Sequence, residues 1–198
     1  MSTTTATTKE RILDAAEEIM LRKSFHSVGL NEILAAVKVP KGSFYHYFKS
    51  KEQFGVELLR HYVAESSAFR RKMLLSAETE PNPFKRLMAF FEMSIARLDG
   101  NDCECPCLVV KLSTEVATFS DDMRTVLADG MSEWRGQLQQ LVSEGQKKGV
   151  MGKDLKPAAA ADMILDLWMG AHHRTQVERS VAPLRTAALF IRNLLKAK

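Results

Sequence analysis

The sequence predicts an all-α protein, on three observations. Apolar residues recur at helical spacing along most of the chain, and Pro, Gly and Ser/Thr–Glu/Gln pairs fall where such stretches begin and end. No alternating apolar–polar run of strand length appears, nor any internal repeat. With 198 residues, 45% of them hydrophobic and 26% charged, the chain can bury a long helical body or a small domain joined to a larger one.

Each element follows from its residues. Ile12, Ala15, Ala16, Ile19 and Met20 share a helical face, and Thr7 with Glu10 three residues later forms a capping box ahead of it. Phe25 and Val28 interrupt that period, and Gly29 can cap a second helix from Leu30 to about Val37. Lys38 and Val39 leave a very short connection. Pro40 suits the first position of a third helix that ends near Phe48. Ser50-Lys51-Glu52-Gln53 repeats the capping-box pattern and opens a longer helix through Phe54, Leu58, Leu59 and Tyr62. The polar stretch Ser76 to Pro83, with Pro81 inside it, reads as a linker.

Beyond it, Phe84, Leu87, Met88, Phe91, Ile95 and Leu98 mark one helix, and Leu108, Val109, Leu112 and Val116 mark another starting at Pro106. Met123, Leu127, Met131, Trp134, Leu138 and Leu141 give a long helix to about Lys148. The last two run from about Pro157 to Glu178 and from Pro183 to Lys196. The predicted organisation is a three-helix unit over 1–52, a fourth helix connecting from 51, and a larger helical domain over 53–198.

Charge is unevenly placed. Residues 1–75 hold 12 Lys and Arg against 8 Asp and Glu; the whole chain has 28 and 24, so the remainder is balanced at 16 and 16. The entire net charge of +4 therefore sits in the first part, as suits a module that meets a polyanion. No run approaches the ~20 apolar residues of a membrane span. Met1 to Thr8 is polar with no apolar signal region, and a cytoplasmic protein is expected. Three cysteines, at 103, 105 and 107, fit free thiols in a reducing compartment better than a disulfide framework. No Ser/His/Asp motif or phosphate loop is present, so an enzyme is not expected.

Three short helices with a tight turn before the third match a helix-turn-helix arrangement. At 100° per residue Phe44 and Phe48 share an inward face. Gly42, Ser43, Tyr45 and His46 lie around the other side, where they can approach and hydrogen-bond a groove. Lys41 in the first turn and Lys51 at the start of the next helix add charges beside helix N-termini, where phosphate is favoured. The string Val39-Pro-Lys-Gly-Ser-Phe-Tyr-His-Tyr-Phe-Lys-Ser-Lys51-Glu52 resembles the signature of the TetR family of repressors. That resemblance implies duplex operator DNA as partner, contacted by Lys41, Gly42, Ser43, Tyr45, His46 and Lys51. Two positions depart from the pattern. Gly29 stands where Thr or Ser commonly caps the second helix, and Lys38 replaces a turn glycine at a cost of about 1 kcal/mol if it is left-handed.

The resemblance also implies a C-terminal domain that binds an inducer and forms a homodimer reading a pseudo-palindrome. Independently, the last helix is apolar on two sides: Leu184, Ala188, Ile191 and Leu195 form one stripe, Ala187, Phe190 and Leu194 another. With Met163, Ile164, Leu167, Trp168 and Ala171 before it, the first stripe suits a four-helix dimer interface; burial within one subunit is the alternative.

If Pro106 opens its helix, Cys107 lies in the first turn, where the dipole favours a thiolate, and Lys111 follows one turn later on the same face. Cys107 is thus the candidate reactive thiol and Cys103, four residues away, a candidate resolving partner. Cys107 to Val116, followed by Ser120-Asp-Asp-Met-Arg124, is similar to a TetR subgroup that senses electrophiles and oxidants through a cysteine in this helix. A soft metal on the three cysteines with His172 or His173 is a competing reading, but the spacing is not the usual C-x2-C and adjacent histidines on a helix diverge. No metal or other cofactor is expected.

Overall fold

The computed structural model describes residues 7–78, 80–101, 103 and 107–197. Among them nine helices follow in order: α1 (Thr8–Met20), α2 (Leu30–Val37), α3 (Lys41–Tyr47), α4 (Lys51–Leu75), α5 (Pro83–Asp99), α6 (Leu108–Val116), α7 (Asp121–Lys147), α8 (Pro157–Glu178) and α9 (Ala182–Leu195). An isolated antiparallel bridge between Met151 and Lys196 ties the segment after α9 to the α7–α8 connection. No helix among the described residues is long and apolar enough to cross a membrane.

Helix starts follow local chemistry. The Thr7 hydroxyl accepts from Glu10 N at 3.2 Å while the Glu10 carboxylate accepts from Thr7 N at 2.7 Å, a complete capping box. At α4 Ser50 accepts from Gln53 N, but Gln53 Oε1 turns back to Lys49 N rather than to Ser50. Asn82 accepts from Phe84 N and Lys85 N, so the linker ends one residue earlier than expected and Pro83 begins α5. Pro40 also differs from expectation: its backbone is extended (ψ 146°), placing it just outside α3. Lys38 ends α2 in the left-handed region (φ 55°), the strained position anticipated from the missing glycine.

Two apolar clusters hold the molecule together. The lower gathers Ile12, Met20, Phe25, Ile33, Phe44, Phe48 and Phe54 with Leu108, Leu112, Val116 and Met123 from α6 and α7. The upper is built from α5, the far half of α7, α8 and α9 around Leu87, Phe91, Leu141, Ile164 and Trp168. The apolar packing therefore does not divide at residue 52; α6 and the start of α7 are packed into the three-helix head. Gly55 permits this closeness, since a Cβ there would lie 1.9 Å from Met123 Cε and 2.7 Å from the Phe25 ring.

The interface stripe expected on the last helix is corrected. Leu184, Ile191 and Leu195 are sealed in the upper cluster of their own subunit, and Ala188 is half-buried against it. The apolar residues α9 leaves in solvent are Leu189 and Phe190, at 57% and 54% exposure, with Val177 of α8 also exposed. Two apolar sides were legible, but which one faces α5 and α8 is set by the packing of those helices.

Candidate functional site

The head presents one short helix outward. Phe44 is fully buried, its ring 5.0 Å from Phe48 and 5.4 Å from Phe54, and this aromatic triangle fixes the rotation of α3. Lys41, Gly42, Tyr45 and His46 are consequently exposed and Ser43 half-exposed. Tyr45 is 55% exposed, an unusual setting for an aromatic residue. Nothing in the chain lies within 4 Å of where a Gly42 Cβ would stand, so the fold itself does not demand glycine there. Lys51 departs from this group. Its ammonium donates to the carbonyls of His26 and Val28 at 3.1 and 2.9 Å and lies over the Phe25 ring, so it braces the α1–α2 connection instead of projecting outward.

α6 joins the head to the body through two side chains on one face. Glu115 accepts from the backbone N–H groups of Phe25 (3.2 Å) and His26 (3.0 Å) and pairs with His26 Nδ1 at 2.8 Å. Burial pushes its carboxyl upward, but these bonds from His26 and Phe25 outweigh burial and hold it below the usual glutamate range. Lys111, four residues earlier, donates to the carbonyl of Leu21 at the end of α1 at 2.9 Å, and burial lowers its pKa. This corrects the expectation for Lys111: its charge satisfies an orphan carbonyl of the head rather than sitting on Cys107.

Cys107 is the cap residue of α6, with extended backbone, one position before the first turn. Pro106 and Cys105, on which part of the sequence reading rested, lie outside the described residues. The half-buried Cys107 sulfur accepts from Tyr62 Oη at 3.6 Å, and the same oxygen accepts from Leu108 N at 3.2 Å. Burial first, and then the neighbouring Cys107, push the Tyr62 pKa upward, which keeps the phenol protonated as a donor. Arg70 of α4, a residue the sequence did not single out, borders the same cavity; burial lowers its pKa, and Cys107, Tyr62 and Glu133 act in the opposite direction. Cys103 is buried in the upper cluster with left-handed backbone (φ 60°).

Cys107, Tyr62 and Arg70 open on a cavity of about 290 Å³ between α1, α4, α5, α7 and α8. Glu17, Glu65, Phe69 and Arg97 lie toward its mouth; Arg70, Trp134, Trp168 and His172 are its buried floor. His172 meets Trp168 edge-on at 5.3 Å, and burial pushes its pKa down to about 4, so it is a neutral imidazole near pH 7. His173 is exposed. Among the described residues the one grouping with metal-ligand geometry is Asp14, His61 and Glu65, where His61 Nε2 lies 2.8 Å from Asp14; it includes neither cysteine nor His172.

Comparison with known proteins decides the lineage. The family described as bacterial regulatory proteins, tetR family, matches residues 12–58, and the tetracyclin repressor-like C-terminal domain matches residues 83–191. The chain belongs to the TetR family. It is 34% identical to the HTH-type transcriptional repressor NemR of Escherichia coli over 95% of this chain and 94% of that protein. It is 32% identical to the repressor DhaR of Mycobacterium sp. strain GP1 over 89% of this chain and 86% of that one. The crystal structure of E. coli NemR in its reduced form superposes with a TM-score of 0.87, at 32% identity and covering 96% and 98% of the two chains. The regulatory protein TetR from Rhodobacter sphaeroides gives 0.86 at 30% identity, covering 96% and 100%. As a TetR-family member the chain is a DNA-binding transcriptional regulator and not an enzyme. Regulators of this family bind operator DNA, dimerise and bind small-molecule ligands.

Proposed function

We propose that this regulator is a cytoplasmic repressor that holds a pseudo-palindromic operator as a homodimer and releases it when Cys107 is modified by an electrophile or oxidant. The observation that carries the reading is the path through α6. Its first end is a thiol at a cavity, and its far end grips the head at Leu21, Phe25 and His26. In alkylation the sulfur adds to the electrophilic carbon of an activated double bond, its proton is given up, and a proton is taken up at the adjoining carbon. The added bulk displaces the Tyr62 hydroxyl that caps α6, and the change reaches the head because Lys111 and Glu115 ride on the same helix. Release further requires that the modified form favour a head spacing that no longer matches the groove. Similarity to NemR, whose crystal structure is described as the reduced form, supports a redox-sensitive thiol.

In this reading Lys41, Gly42, Ser43, Tyr45 and His46 meet DNA, and Lys51 reaches phosphate only by leaving the His26 and Val28 carbonyls. Half-sites lie about one helical turn apart or modestly more. The dimer face is the exposed side of α9 with Leu189 and Phe190. The deciding experiment treats wild type and Cys107→Ser with N-ethylmaleimide and measures operator affinity by gel shift. Wild type loses affinity and Cys107→Ser does not; equal responses, or none, sink the thiol mechanism. Tyr45→Ala abolishes specific binding without loss of helix content. In sedimentation Phe190→Asp gives folded monomers, whereas Ile191→Asp unfolds.

A further inference from the structure

The floor of the cavity holds two buried donors to which the described residues offer no acceptor. Arg70 is 9% exposed and its Nε has no hydrogen-bond partner; Trp134 is 7% exposed and its Nε1 has none. The two groups adjoin, with the guanidinium carbon 4.8 Å from the indole centre, and both line the cavity. The carboxylate of Glu133, which acts on Arg70 through space, is already bound by the Ser67 hydroxyl and by Arg71 at 2.7 Å. Arg86, Gln137, Thr175 and Gln176 also carry buried atoms without partners, but Arg70 and Trp134 are the two such residues that line the cavity, where a bound group could accept from both.

We propose that this cavity binds a small organic monoanion, a carboxylate on an apolar body, with the carboxylate accepting from Arg70 and Trp134. Three features select that class. The guanidinium fork matches the two oxygens of a carboxylate. A dianion is disfavoured because the floor supplies one cation, Arg97 at the mouth is outnumbered there by Glu17 and Glu65, and His172, neutral through burial, adds no further charge. Phe69, Phe90 and Trp168, with Leu21 and Leu98, give the lining its apolar surface, and about 290 Å³ accommodates a single ring or short chain. The inference rests on the cavity being the effector site but does not require Cys107 to react.

The chain's two tryptophans, Trp134 and Trp168, both line the cavity, so intrinsic fluorescence of the full-length protein reports occupancy. Butanoate and benzoate are titrated beside their uncharged twins, butanamide and benzamide. At least one carboxylate gives a saturable change, and its amide binds roughly thirtyfold more weakly or not at all, as expected when a buried charge loses its partner. Arg70→Gln brings the carboxylate down to the amide's level with far-UV circular dichroism unchanged. Equal binding of acid and amide, no binding by either acid, or undiminished binding in Arg70→Gln overturns the proposal, and the acid–amide comparison decides on wild type even if Arg70→Gln fails to fold. N-ethylmaleimide release without carboxylate binding removes the anion inference alone; carboxylate binding without any change in operator affinity removes the effector reading alone.

Discussion

The head and the body of this molecule are packed to different standards. In the head, Phe25, Phe44, Phe48 and Phe54 close an aromatic core. No residue of the head is among those whose buried side-chain polar atoms lack a partner in the described structure; these run from Arg70 to Gln176. In the body, Arg70 and Trp134 surround a cavity with unanswered donors, and His172 is held neutral by burial. The contrast teaches what each part is for. A groove-reading helix must keep one orientation, which dense aromatic packing enforces. A sensor must have something left to gain when its signal arrives, and buried donors without partners at a cavity provide it.

The sharpest way to break the comparison is to mutate each floor. Phe44→Ala should cost about 3–5 kcal/mol in urea unfolding, because it empties a fully buried ring position. Arg70→Leu should cost far less, because it removes a buried charge whose Nε has no hydrogen-bond partner while keeping bulk. If Arg70→Leu proves the more damaging change, the two regions do not differ as argued.

Next in size is a pH effect confined to the body. His172 has its folded-state pKa lowered from 6.5 to about 4, so the unfolded chain takes up its proton first on acidification. Its contribution to stability is complete above 6.5 and is lost as pH falls toward the folded value, amounting to about 2 kcal/mol by about pH 5. Thermal unfolding across this range should be flatter for His172→Gln than for wild type. An unchanged slope would mean that the imidazole is hydrated or paired in solution.

The joint between the regions gives a smaller effect. Lys111→Met and Glu115→Gln should each lose about 1–2 kcal/mol of docking, seen as faster amide exchange at Leu21 to Val28. Mass spectrometry should find Cys107 alkylated as in wild type, yet with less change in operator affinity. The smallest effect lies in the head: Lys38→Gly relieves a left-handed backbone and should stabilise by about 1 kcal/mol, with DNA affinity retained.

Much of the fold was legible in local chemistry. Thr7 with Glu10, Gly29 before α2, and Phe44 with Phe48 on one face of α3 act over a few residues, and such interactions survive in any context that permits a helix. Cys107 could be picked out because it borders a helix start. Tyr62 and Arg70 could not, since in a long helix of mixed composition they are an ordinary phenol and an ordinary guanidinium.

By itself, then, the sequence determined nine helical segments, the outward face of α3 and the position of the reactive-thiol candidate, because periodicity and capping are properties of neighbours along the chain. Tertiary structure alone decided matters of long-range contact. It chose which side of α9 is buried, sent Lys111 to Leu21 and Lys51 to His26 and Val28, and brought Arg70 and His172 to the cavity that Cys107 borders. Each of those outcomes depends on where a second helix lies. A long cationic side chain finds whichever carbonyl, aromatic face or sulfur that helix places within reach, and one helix's pattern carries no record of it.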